Sequence, residues 1–224
     1  MDITRAQIKK YTEERTGIPK VLLLIFFAVG VAGTAVDLTR DIFISLTPFA
    51  LLLCFAAILS YHRSDNTAKD ALVFGAILLA GFFVEAAGVN TGMIFGNYEY
   101  GDGLGLKIFS TPLLIGLNWA ILTYCTAIVT DKLLVHWSLR IPAASALMVL
   151  YDLIMEQVAP AMRMWSFKDG IPAQNYIMWF VFALIFHTVI KIAGLRFSNT
   201  IAPFIFIIQG AFFLILYLIF RFIQ

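Results

Sequence analysis

The 224-residue chain is 61% hydrophobic and 13% charged, with a mean hydropathy of +0.88 and a formal net charge of +2. A soluble domain carries about a quarter charged residues, so no water-solvated core accounts for this much apolar surface, and so small a charge argues against nucleic acid as a partner. The lipid bilayer is the expected solvent, and the length suits one compact membrane domain.

In chain order, residues 1–19 are polar and mixed in sign. They read as a short cytoplasmic amphipathic arm ending at Pro19, not as a cleaved leader. Residues 20–224 follow as a single transmembrane helical domain. Seven apolar runs, near 19–36, 42–61, 71–91, 111–130, 141–159, 176–194 and 200–221, approach the ~20 residues that a helix needs to cross the hydrocarbon. The fold class is therefore all-α, a polytopic transmembrane bundle of about seven helices. Polar links at Asp37–Asp41, 63–70, 131–140 and 191–199 separate most of the runs. Of the 16 Lys and Arg residues, 11 fall on the side of the amino terminus and 5 on the other. The positive-inside rule then puts the amino terminus in the cytoplasm and makes this an integral protein of a bacterial inner membrane. Two outer-side links differ from the rest: 92–112, rich in glycine and aromatics, and 160–175, which reads PAMRMWSFKDGIPAQN. Both are long for helical hairpins and poor in charge. Irregular backbone of this kind is tolerated at membrane depth only where protein shields it, so both are expected to be structured and to fold over the bundle as a lid.

Few strongly ionisable residues lie inside the spans: Glu85 in the third, Asp152 and Glu156 in the fifth. A carboxylate at mid-membrane costs about 2.5–3.5 kcal/mol even on lenient scales, so such groups persist when paired, neutral or working. At ~1.5 Å rise per residue, Glu85 and Glu156 both sit roughly 21–22 Å into outward-running helices. Asp152 lies one turn below Glu156 on the same face. Asn90, Asn118, Trp119 and Asn175 collect at the same level, and the lids add Tyr98, Tyr100 and Trp165. The bland alternative is that the carboxyls only hydrogen-bond neighbouring amides and fix helix packing, with Arg163 reaching over Glu156 as an ordinary ion pair. Trp137 and Trp179 read as interface anchors, His187 as a packing residue, and Cys54 and Cys125 as small core residues. The three histidines have no ligand-like spacing, so no metal is expected.

Removal from water favours the neutral form of a carboxyl, and a like-charged neighbour favours it further. A neutral, poorly solvated carboxylic acid can protonate a weak base such as an isolated carbon–carbon double bond. Aromatic faces can stabilise the resulting carbocation, and amides can hold the water that captures it. No Walker-type or dinucleotide glycine motif is present, and this chemistry calls for no cofactor.

The stretch EAAGVNTGMIFGNYEYGDGLGLKIFSTPLLIGLNW (85–119) resembles the carotenoid hydratase family of membrane proteins. The matching positions are Gly88, Thr91, Gly92, Phe95, Gly96, Tyr98, Tyr100, Leu104, Gly105, Pro112, Asn118 and Trp119. The second lid is similar to the family's in Asp152, Pro160, Trp165, GIPAQN (170–175) and Trp179, but Phe167 stands where the family often has a second tryptophan. The resemblance covers roughly 70–195. It implies hydration of a terminal 1,2 double bond on an acyclic carotenoid, a lipophilic partner that enters sideways from the bilayer. For that reaction the residues themselves suggest Asp152 or Glu85 as the proton donor, Glu156 and Asn118 ordering water, and Tyr98, Tyr100, Trp119 and Trp165 lining the cation pocket, with Asn175 and Asn90 nearby. A membrane lycopene cyclase is the nearest rival, using the same cation without water. A retinal protein lacks its mid-span lysine in the seventh run, and a small proton-coupled transporter would show repeated halves, which are not visible here.

Overall fold

Seven apolar runs become eight helices among the described residues because one run is broken ahead of a proline. A computed structural model describes residues 5–134 and 136–223. In chain order the elements are α1 (Arg5–Ala35), α2 (Asp37–Ser45), α3 (Thr47–Tyr61), β1 (Arg63–Ser64), α4 (Thr67–Thr91), β2 (Tyr98–Tyr100), β3 (Lys107–Ile108), β4 (Thr111–Pro112), α5 (Leu113–Leu133), α6 (Trp137–Glu156), β5 (Trp165–Phe167), α7 (Ala173–Ile192), β6 (Phe197–Ser198) and α8 (Ala202–Phe222). Six helices are long and apolar enough to span a membrane, and the bent pair α2–α3 makes a seventh.

The expected polar link at Asp37–Asp41 is in fact the first turn of α2. The chain breaks at Leu46, and α3 leaves at 50° with Pro48 in its first turn. Proline has no N–H and disfavours helix in the residue before it, so the break falls where the sequence dictates. Arg40 closes the α1–α2 corner. It pairs with Asp37 at 2.6 Å and donates to the terminal α1 carbonyls of Thr34 (3.0 Å) and Ala35 (3.3 Å). At the other end α1 begins at Arg5 and runs through Pro19, so the expected arm is continuous with the first span. Residues 1–4, the side chains of 5–15 and the Trp137 side chain lie outside the described residues, so neither the arm's amphipathicity nor the expected Trp137 anchor is described.

Helix α5 forms the axis of the bundle. Its apolar window is 78% buried, against 22–33% for the other five single-helix spans. Without a hydrophobic drive between helices in lipid, close packing needs small residues at the contact. Two glycines supply it between α4 and α5. A Cβ at Gly81 would lie 2.8 Å from that of Trp119, and one at Gly116 would collide with the Leu78 carbonyl oxygen. Gly116→Val is therefore expected to cost at least about 1–3 kcal/mol by overpacking, read as a lower unfolding midpoint in detergent. Gly75, where an added Cβ would meet nothing within 4 Å, is the matched control, and Gly75→Ala is expected to stabilise by about 0.5–1 kcal/mol.

The two unusual links fold back over one end of the bundle, as expected, and they pair with each other. β2 and β5 form an antiparallel ribbon in which Tyr98 faces Phe167 and Tyr100 faces Trp165. At the opposite end β1 pairs with β6, joining the α3–α4 and α7–α8 links.

Candidate active site

The ribbon reaches the acid layer through the polar tips of its rings. In β2 the alternation buries Tyr98 and Tyr100 and exposes Glu99. Both tyrosine hydroxyls donate to Oε2 of Glu85, at 2.6 and 2.7 Å. The Trp119 indole of α5 donates to Oε1 at 2.9 Å. Glu85 is 3% exposed, so three donors from two lid residues and a central helix converge on one buried carboxyl. Every one of these bonds needs a carboxyl oxygen as acceptor, which suits an ionised group. Burial, and then the Glu85 charge, pushes the Tyr98 and Tyr100 hydroxyls up, keeping both as neutral donors.

A second cluster lies one strand away. The Asn175 amide, in the first turn of α7, donates to Asp152 Oδ2 (3.1 Å) and Glu156 Oε1 (3.0 Å), bridging the two carboxyls that the i, i+4 spacing aligns. Trp165 Nε1 donates to Glu156 Oε2 at 2.9 Å. Glu156 is thus occupied on both oxygens. Asp152 is fully buried, and its Oδ1 has no hydrogen-bond partner among the described residues. A buried carboxylate with a bare oxygen is far costlier than a neutral acid. The arrangement suits one anchored carboxylate at Glu156 beside one acid at Asp152 that has a proton to give.

Two spaces adjoin this layer. A recess of about 10 Å³, the size of one water, lies among Glu85, Glu156, Tyr98, Tyr100 and Asn175. An apolar cavity of about 310 Å³ opens beside it between α1, the α2–α3 break, α5, α6 and α8. Trp165 and Ile115 border both. Asn118 lines the cavity and makes no side-chain hydrogen bond with a described residue, so its amide is available to an occupant. Exposed Val29 and Leu46 at the cavity wall mark a lateral approach between α1 and α3.

The structure thus brings together nine of the ten candidate residues: Asp152, Glu85, Glu156, Tyr98, Tyr100, Trp119, Trp165, Asn175 and, through the cavity, Asn118. Asn90 stands apart. Its amide donates to the carbonyls of Ala86 (2.7 Å) and Phe109 (2.8 Å). Phe109 and Ser110 are the two turn residues between β3 and β4, both at positive φ (53° and 61°) without being glycine, and Asn90 ties that strained turn to α4. Three other expectations are corrected. Arg163 does not reach Glu156 but pairs with Asp102 (3.2 Å) and Asp41 (3.5 Å), tying the second lid to the first lid and to α2. Trp179 is no interface anchor: it is buried and stacks on Trp119 with centroids 4.0 Å apart. Its place one turn after Asn175, on the same α7 face, was the available signal. Asp70, expected in a polar link, is buried at 3% exposure in the first turn of α4 beside His62 (3.1 Å). His187 is a packing residue as expected, held by the Ala183 carbonyl (2.7 Å) and Thr126 (3.0 Å). Gln209 on α8 carries no signal in the sequence pattern; its buried amide oxygen has no hydrogen-bond partner among the described residues, and it lines the apolar cavity.

A family model described as carotenoid biosynthesis protein matches residues 46–221. The chain belongs to that family. A bisanhydrobacterioruberin hydratase from Haloarcula japonica is 26% identical over 223 residues, covering 89% of this chain and 73% of that one. No solved structure matches the chain. The matched range includes 85–119, which forms the α4 end, the first lid and the start of α5. This is the segment that builds the Glu85 knot. Phe167, at the position where the family often has tryptophan, packs its ring 5.2 Å from that of Tyr98.

Two outcomes test the knot. Glu85→Gln replaces an all-acceptor group by one that turns an N–H₂ toward a donor, so the unfolding midpoint is expected to fall by the equivalent of about 1–3 kcal/mol. Unfolded tyrosine ionises near about pH 10, whereas Tyr98 and Tyr100 stay protonated in the fold. Their contribution is full below about pH 10 and is lost as pH rises toward their raised folded values. A midpoint that drops above about pH 10 in the wild type, and drops less in Tyr98→Phe/Tyr100→Phe, is the expected profile.

Proposed function

We propose that the protein is a cofactor-independent hydro-lyase that adds water across the terminal 1,2 double bond of an acyclic carotenoid end group. The observation that carries the reading is the Asp152–Glu156 pair, bridged by one amide, with a carboxyl oxygen on Asp152 that has no partner among the described residues and with Glu156 lining the recess next to the apolar cavity. Membership of the carotenoid biosynthesis family and the likeness to a hydratase support it.

The polyene enters between α1 and α3 and lays its end group in the cavity. Trp165 is the wall between this cavity and the recess, so its indole must shift for the end group to meet the acids. Asp152 gives its proton to the less substituted alkene carbon, and the π electrons become the new C–H bond. The tertiary cation left behind faces Trp165, with Tyr98 and Tyr100 around the recess and Trp119 behind Glu85, and ring faces favour a cation over water. A water held by Glu156 and Asn118 adds its oxygen to the cation and loses a proton to the Glu156 carboxylate. Transfer of that proton back to Asp152 restores the pair, and the net change is addition of one water. Glu85, saturated by three donors, serves in this scheme as the anchor of the lid and not as the acid. The amino terminus lies in the cytoplasm and the acid layer toward the outer face, as the 11-to-5 distribution of Lys and Arg suggests.

The test is expression in a bacterium that accumulates lycopene and γ-carotene, with mass spectrometry of the pigments. A product heavier by one water, with the polyene absorption retained, is expected. An unchanged mass with a blue-shifted spectrum means cyclisation instead. In the same host Asp152→Asn and Glu156→Gln are each expected to cut conversion by about 10²–10⁴, with little change in unfolding midpoint for Asp152→Asn and, because both Glu156 oxygens accept from N–H donors, a fall equivalent to about 1–3 kcal/mol for Glu156→Gln. Full conversion by both variants would sink the assignment.

A further inference from the structure

A second cavity lies at the other end of the bundle, away from the acid layer. There α5, α6, α7 and the β1–β6 ribbon surround about 800 Å³. Its inner wall belongs to the spans and carries Ala127 and Ile128 of α5, Ile141 of α6 and Ile190 of α7, with Thr130 and His187 among them. Its rim is basic, with Arg63, Arg140, Lys191 and Arg196 against two carboxylates, Asp65 and Asp131. Arg140 already pairs with Asp131. Arg63 donates only to the adjacent His62 carbonyl, at 3.4 Å, and neither it nor Arg196 has a carboxylate within ion-pair distance among the described residues. The ribbon register sets Arg63 opposite Ser198, and Ser64 and Ser198 add hydroxyls to the same rim.

We infer that this cavity is a binding site for one acidic phospholipid. Arg63 and Arg196 take the headgroup phosphate, and an acyl chain runs down the Ala127–Ile128–Ile141–Ile190 wall between α5, α6 and α7. Guanidinium forks match phosphate oxygens in geometry as well as charge. Basic pockets between helices at the membrane surface are where anionic headgroups seat. A free phosphate would satisfy the rim and leave the apolar wall bare, and the volume far exceeds one phosphate. Charge at the rim and hydrocarbon below describe an amphiphile lying at the bilayer boundary. The site is independent of the chemistry proposed for the other end.

Purified protein in neutral detergent, titrated with phosphatidylglycerol, phosphatidylcholine or inorganic phosphate, tests it by native mass spectrometry and unfolding midpoint. Phosphatidylglycerol is expected to be retained and to raise the midpoint, phosphatidylcholine to do so far less, and phosphate to leave the midpoint unchanged. Arg63→Gln/Arg196→Gln is expected to weaken phosphatidylglycerol binding about tenfold to thirtyfold, while Arg63→Lys/Arg196→Lys keeps most of it. The lysine pair reads the site if the glutamine pair fails to fold. Equal effects of the two lipids, full phosphatidylglycerol binding by the glutamine pair, or a phosphate shift as large as the lipid's would each overturn the proposal.

Discussion

A single buried carboxyl, Glu85, determines how the active end of this bundle is built. Its two oxygens accept from Tyr98, Tyr100 and Trp119. Those donors come from the first lid and from the axial helix α5, so one group joins lid to bundle. Removal of a charged group from water is costly unless its hydrogen bonds are replaced. Three short donors meet that demand, and their rings then fill the space around it. Trp119 extends the knot to α7 by stacking on Trp179, and Tyr100 extends it to the second lid through its register with Trp165.

From that fixed point the second acid pair is positioned through the lid, with Glu85 and Glu156 facing the same small recess. Trp165 is held on one side by the ribbon and on the other donates to Glu156. Asn175 then ties Glu156 to Asp152. The two clusters divide naturally. Glu85 is saturated and sits where lid and helix must be locked, whereas Asp152 keeps one oxygen without a partner among the described residues. Unsatisfied buried groups in an otherwise complete polar network are where function is expected, because packing alone would remove them.

The broken second span is the other structural decision that the site depends on. α1 packs mainly against α8 and α2, so the course of 37–61 decides what lies along its remaining face. The bend at Leu46 lets Phe43, Leu46, Thr47 and Leu51 line the apolar cavity that adjoins the acid layer. Arg40 holds the corner by capping α1, and Arg163 of the second lid reaches Asp41 of α2. The entry side of the cavity is therefore braced to the same lids that carry the aromatic rings.

The sequence by itself determined the spans, the common level of the three carboxyls, the alignment of Asp152 with Glu156 and the unusual character of both lids. Each of these follows from local quantities: run length against bilayer thickness, rise per residue, and helical periodicity. The break at Leu46 belongs to the same class, since Pro48 marks it, although the apolar run itself continues through it. Only the tertiary structure decided which groups meet. Asn90 shares the level of the acids yet spends its amide on the Phe109 turn. Arg163 has three acids within a plausible reach, and the fold sends it to Asp102 and Asp41. Trp179 has the character of one more interfacial ring until α7 turns it onto Trp119. The strands of the two lids are 65 residues apart in sequence, counting from Tyr100 to Trp165. No local pattern encodes their register, because pairing over that separation is settled by how α4, α5, α6 and α7 pack between them.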